Sequence, residues 1–136
     1  MNPTKELSLK DESANVSISV KQGEIFKIAI EGNRTTGCSF FLKNKEELIK
    51  AQITPLNLDK YNSAEYASVP HEEGMCGFGG IFNFLFKAES KSNLPKILLQ
   101  YYQPFNPTEI FYTVEVTVNV ENKIIILNKQ YYLKNV

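Results

Sequence analysis

Phe82-Asn83-Phe84-Leu85-Phe86-Lys87-Ala88 sets a large apolar side chain or a small one on the same face at every second position. A period of two is that of a β-strand, whose successive side chains leave opposite faces of the sheet. Three phenylalanines and an alanine therefore share one buried face, and Asn83 and Lys87 take the other. The same reading extends both ways. Downstream, Ser90 to Pro95 turns the chain, Ile97 to Tyr102 is a further strand, and Tyr112, Val114, Val116, Val118 and Val120 line one face of a long one. Upstream, Val16 to Val20 alternates strictly, and Lys21-Gln22-Gly23-Glu24 is a hairpin turn with glycine where a positive φ is needed. Phe26, Ile28 and Ile30 then alternate in a second strand.

Cys38 to Leu42 is evenly apolar, which predicts a central strand. Lys45 to Lys50 has helical composition for one or two turns, and Ala51 to Val69 is the least regular part, with a strand expected within 61–69. Leu7 and Leu9 alternate in a polar lead-in that suggests a short first strand, and Ile124 to Tyr132 reads as a last one. Short alternating strands with regular turn signals predict an all-β fold, an immunoglobulin-like β-sandwich of seven to nine strands with Greek-key connections.

The 136 residues read as a single domain, 1–136, without linker or repeat. Fifteen basic residues balance fifteen acidic ones, and no basic block tracks a phosphate backbone, which argues against nucleic acid. No run reaches the roughly 20 apolar residues of a membrane helix, so no membrane partner is expected. Nine Phe and seven Tyr without Trp favour strands. The start of the chain lacks an apolar leader segment, and a glycan on the sequon Asn33-Arg34-Thr35 would cover a loop of interest; both favour the cytoplasm. The alternative is a lysosomal, phagosomal or secreted protein whose leader has been removed. Cys38, Cys76 and His71 are too few and too widely spaced for a zinc site, so no metal and no cofactor is expected. As a nucleophile and base, Cys38 and His71 lack an orienting third group and an oxyanion hole, and an enzyme is disfavoured.

Three stretches stand apart: Asn33-Arg34-Thr35-Thr36-Gly37, Gly77-Phe78-Gly79-Gly80 and Gln103-Pro104-Phe105. If strands at 16–20, 26–30, 38–42, within 61–69, at 82–88, 97–102 and 112–120 each reverse direction, these stretches are the second-to-third, fourth-to-fifth and sixth-to-seventh connections. Parity alone then gathers them at one end of the sandwich, as a binding surface carried on a rigid scaffold. Phe78 and Phe105 have no core to enter there and read as anchors of a protein interface. A non-inhibitory immunoglobulin-like binding or adhesion module is one function this arrangement supports.

In this order the three stretches resemble the loops of the chagasin family of cysteine-protease inhibitors, the group to which the amoebiasins belong. That family carries N-P-T-T-G, G-x-G-G and R-P-W loops on an immunoglobulin-like sandwich; here the second is complete and the third matches only at Pro104. The resemblance covers roughly 16–120. It implies reversible, tight inhibition of papain-like cysteine proteases of the cathepsin L or papain type, with the first loop plugging the active-site cleft and no catalytic residue in the inhibitor. The protease-binding residues it implies are Asn33, Arg34, Thr35, Thr36 and Gly37, with Thr35 and Thr36 in the cleft, then Gly77, Phe78, Gly79 and Gly80, and Gln103, Pro104 and Phe105. Arg34 in place of proline leaves φ unfixed and raises the cost of ordering the loop. Phe105 for tryptophan offers a smaller stacking face.

The tail, 121–136, lies outside the resemblance and is expected to add a strand beside 112–120, which would make the chain a monomer or a weak dimer. Cys38 and Cys76 flank the first two loops; they are expected as free thiols, with a disulfide between them as the alternative.

Overall fold

The computed structural model describes residues 2–33, 36–68, 79–89, 94–121, 123–127 and 130–134. The chain forms β1 (Lys5–Leu9), β2 (Ala14–Lys21), β3 (Ile25–Gly32), β4 (Ser39–Leu42), α1 (Lys45–Lys50), β5 (Ile53–Pro55), β6 (Glu65–Ser68), β7 (Gly80–Ala88), β8 (Lys96–Tyr102), β9 (Tyr112–Glu121), β10 (Lys123–Leu127) and β11 (Gln130–Lys134). One sheet has five strands in the order β1-β3-β7-β5, with β6 also on β7; the other has four, in the order β2-β9-β8-β4. The predicted all-β sandwich is what the chain adopts.

Periodicity explains the layers. Along β7 burial alternates without a break, so Phe82, Phe84 and Phe86 point inward with Gly80 and Ala88. Val114, Val116, Val118 and Val120 do the same from β9, and Phe26, Ile28 and Ile30 from β3. The core between the sheets is built on phenylalanine in place of the missing tryptophan: Phe26 stacks on Phe86 at 5.5 Å and Phe40 meets Phe82 edge-on at 5.6 Å. Truncating one such ring to alanine costs about 3–5 kcal/mol in a packed core, so these rings hold the two layers together. Gly23 sits at φ +83° in the turn between β2 and β3, which is not the expected hairpin because the two strands lie in different sheets.

Because that turn carries the chain from one sheet to the other, β3 returns to the sheet of β1 and the two run parallel, with Leu7 opposite Ile28. By the same route β2 lies parallel to β9, with Val16 opposite Val116. The irregular segment resolves into two short strands on one edge of β7: β5 pairs Ile53 with Ala88, and β6 pairs Ser68 with Gly80.

Two further expectations are corrected. The evenly apolar β4 is not central: it pairs only with β8 and forms an edge of its sheet. Its apolar outer face has another cause. Phe41 packs on Tyr102 at 4.7 Å, and the open edge is covered by the 59–63 segment. Leu42 N donates to Asn62 O at 2.8 Å and Ser63 Oγ to Phe40 O at 2.7 Å. The tail does not add a strand beside β9 either, because β9 is already flanked by β2 and β8. What reads as one strand is two, β10 and β11, paired with each other in a separate two-stranded sheet.

Candidate functional site

The strand ends meet at one pole. In the first sheet Gly32, the last residue of β3, faces Gly80, the first of β7, which also faces Ser68 at the end of β6. In the second sheet Ser39 faces Tyr102, and Tyr101 faces Tyr112. The connections β3–β4, β6–β7 and β8–β9 therefore all leave the same end, as strand parity predicts. Of the predicted binding residues, Asn33, Thr36, Gly37, Gly79, Gly80, Gln103, Pro104 and Phe105 are described; Arg34, Thr35, Gly77 and Phe78 lie outside the described residues, as do His71 and Cys76.

The first and third loops are joined by hydrogen bonds. Tyr101 Oη donates to Asn33 O at 2.5 Å, and Gln103 Nε2 donates to Thr36 O at 3.1 Å. Thr36 Oγ1 donates to Asn33 O at 2.8 Å, lies 3.1 Å from Tyr101 Oη, and accepts from Cys38 N at 3.3 Å. Gly37, at φ +83°, turns the chain out of the loop into β4. The Thr36 hydroxyl is thus engaged within the chain. It closes the base of the loop, while Thr36 as a residue stays exposed.

The third loop shows its aromatic outward. Asn106 N donates to Gln103 O at 2.9 Å, closing a four-residue turn that sets Pro104 and Phe105 at its corners. Proline presets φ for the first corner position. Phe105 is 78 % exposed and does not fold back on the sandwich. Two residues that the sequence reading left out stand in the same connection: Ile110 is 42 % and Phe111 50 % exposed. The only cue to them was their place next to a loop already singled out, since Phe111 reads as the start of a strand.

The second loop enters β7 through two closely packed glycines. A Cβ on Gly79 would lie 2.9 Å from Gly32 O, and one on Gly80 2.5 Å from Ala67 O. Both are backbone atoms of the scaffold, and neither glycine has a positive φ. Gly79 and Gly80 are small because β3 and β6 approach them closely, which brings the second loop against the root of the first.

Under the first loop is a cleft of about 260 Å³ bordered by Asp11, Asn33, Thr36, Cys38, Tyr101 and Phe111. Burial pushes the Tyr101 phenol above its ordinary pKa, so it stays protonated as a donor at neutral pH. Burial also raises the Asp11 carboxyl, with the charge of Glu31 adding to it. Cys38 is buried, 3 % exposed, with a free thiol. Alkylation of the native protein is expected to spare Cys38 and to reach it once the chain is unfolded. Mass spectrometry of peptides from native and denatured samples checks this, and equal labelling in both would contradict the burial.

Comparison with known proteins agrees with this geometry. The model of the family described as Chagasin family peptidase inhibitor I42 matches residues 19–120, more than half of the chain. Amoebiasin-1 of Entamoeba histolytica is 30 % identical over 115 residues, which are 85 % of this chain and 100 % of that protein. The solution structure of Amebosin superposes with a TM-score of 0.54 at 26 % identity, covering 87 % of this chain and 100 % of its own. Two more distant structures share the fold. The cysteine protease inhibitor EhICP2 from Entamoeba histolytica gives a TM-score of 0.52 at 18 % identity, over 87 % of this chain and 100 % of its own. PbICP-C, solved in complex with falcipain-2, gives 0.51 at 24 % identity, over 86 % and 99 %. This chain belongs to the chagasin family of peptidase inhibitors, and it is an inhibitor and not an enzyme.

Proposed function

We propose that this chain, by family an inhibitor of cysteine proteases, blocks papain-like enzymes by seating the 33–37 loop in the active-site cleft. The 77–80 and 103–105 loops grip the two sides. The observation that carries this reading is the joining of the first and third loops through Tyr101 and Gln103, with Phe105 displayed outward beside them. A wedge whose parts are tied before binding loses less conformational entropy on docking than separate loops would. Since the Thr36 hydroxyl is committed inside the loop, the cleft contact passes to Arg34, Thr35 and the Thr36 methyl. Pro104 and Phe105 supply apolar area to one wall, where a desolvated aromatic anchor contributes most. PbICP-C, which shares this fold, was solved in complex with falcipain-2, in keeping with this reading.

Titrating papain or cathepsin L with the purified protein tests this. Activity is expected to fall to zero at about one inhibitor per enzyme, with the added chain left uncut, while trypsin keeps its activity because its site lacks the open cleft. Full papain activity at about micromolar protein, the range of weak binding, would overturn the reading, as would equal inhibition of both enzymes.

A further inference from the structure

We propose that Tyr101 is the positioning residue of the 33–37 loop: its phenol latches the two ends of that loop together in the shape that enters a protease. The inference rests on the inhibitory reading above and adds to it a residue outside the three loops. Tyr101 lies in β8, with Phe40 opposite it on one side and Tyr112 on the other. Its ring is held by Phe40 at 4.9 Å, Tyr112 at 5.3 Å and Phe111 at 6.5 Å, and the residue is 5 % exposed. Phe40 in turn bears on Phe82 of the opposite sheet, so the ring is anchored to both layers.

The hydroxyl of this fixed ring touches both sides of the loop. It meets Asn33 O, before the tip, and Thr36 Oγ1, after it. The two hydroxyl groups and the Asn33 carbonyl make a triangle with edges of 2.5, 2.8 and 3.1 Å. Each hydroxyl gives its one proton to Asn33 O, so the 3.1 Å edge is a contact, and the phenol braces the Thr36–Asn33 bond that spans the loop's ends. That matters here because Arg34 lacks the fixed φ that a proline would supply. A covalent restraint absent from the loop is replaced by a non-covalent one beneath it.

The role is separable from support of the fold. Tyr101→Phe keeps every ring contact. It leaves Asn33 O with its bond from Thr36 Oγ1, so no buried carbonyl is orphaned. The loss falls on the population of closed loop, and a binder whose competent form is depleted loses affinity in proportion.

The experiment compares Tyr101→Phe with the parent in two ways. By NMR hydrogen exchange on the free proteins, the Cys38 amide, which donates to Thr36 Oγ1, is expected to exchange about fivefold faster, the effect of about one neutral hydrogen bond, with the thermal midpoint nearly unchanged. Against papain, association is expected to slow about fivefold with dissociation little altered. Adding Arg34→Pro is expected to recover more affinity in the Tyr101→Phe background than in the parent, because it restores the restraint by another means. Unchanged Cys38 exchange, a large fall in thermal midpoint, or an equal effect of Arg34→Pro in both backgrounds would each overturn the assignment. The exchange measurement needs no protease: a parent that fails to inhibit papain removes the inhibitory reading and still leaves the latch decided.

Discussion

Gly80→Ala is expected to lower folding stability by about 3 kcal/mol, the upper part of the range for overpacking a filled site. Gly80 begins β7 and faces two strands at once, Gly32 of β3 and Ser68 of β6. An added methyl would sit 2.5 Å from the Ala67 carbonyl oxygen and 2.5 Å from the Tyr66 Cζ. The tyrosine ring can swing away, but only by giving up its hydrogen bond to Gly32 O at 3.2 Å and its packing on Phe82 at 4.7 Å. The Ala67 carbonyl is backbone, so β6 itself must move. Against a typical total of about 5–15 kcal/mol this is a large fraction. Urea unfolding followed by circular dichroism measures it as a shift in midpoint at constant slope. A variant that unfolds at the parent's midpoint would mean that β6 does not approach Gly80 as described.

Gly79→Val is expected to weaken inhibition of papain at least tenfold, or about 1.4 kcal/mol, at a smaller cost in stability. The cause is a push on the first loop. A Cβ at Gly79 meets Gly32 O at 2.9 Å and lies 3.8 Å from Asn33 Cα, and two further methyls enlarge the conflict. Gly32 and Asn33 are where the first loop leaves β3, so the displacement is delivered to the loop's root. Gly79 precedes β7 and is only half-buried, so the sandwich below can keep its packing. Inhibition constants measured beside thermal midpoints separate the two effects. A folded Gly79→Val protein that inhibits as well as the parent would detach the second loop from the first.

Much of this geometry was legible in the chain. The alternation in 82–88 named the inward face of β7 residue by residue, because side-chain direction in a strand follows from position alone. Strand parity placed three connections at one end, and it holds because β5 and β6 run the same way along β7 and count as one step. Glycine at 23 and at 37 marked two positions that take a positive φ, whereas Gln52, Asn62 and Leu94 take one without being glycine. Less was legible where a residue has more than one reason to be apolar or small. Cys38 to Leu42 reads as central because both faces are apolar, yet β4 is an edge whose outer face is covered by Tyr102 and the 59–63 segment. Gly79 and Gly80 read as residues of a binding loop, and nothing local shows that this chain's own carbonyls also crowd them.

By itself, then, the sequence determined which residues face inward, where the chain turns, and that the loops at 33–37, 77–80 and 103–105 share an end. These are properties of nearest neighbours along the chain and of the order of strands. Only the tertiary structure decided that β1 pairs with β3 and β2 with β9 in parallel, that the tail folds on itself, and that the Thr36 hydroxyl turns inward to meet Tyr101. Tyr101 and Thr36 are 65 residues apart, and nothing local to either foretells their contact. Such contacts depend on which strands become neighbours and how closely two backbones approach, and those are set by the packing of the whole core.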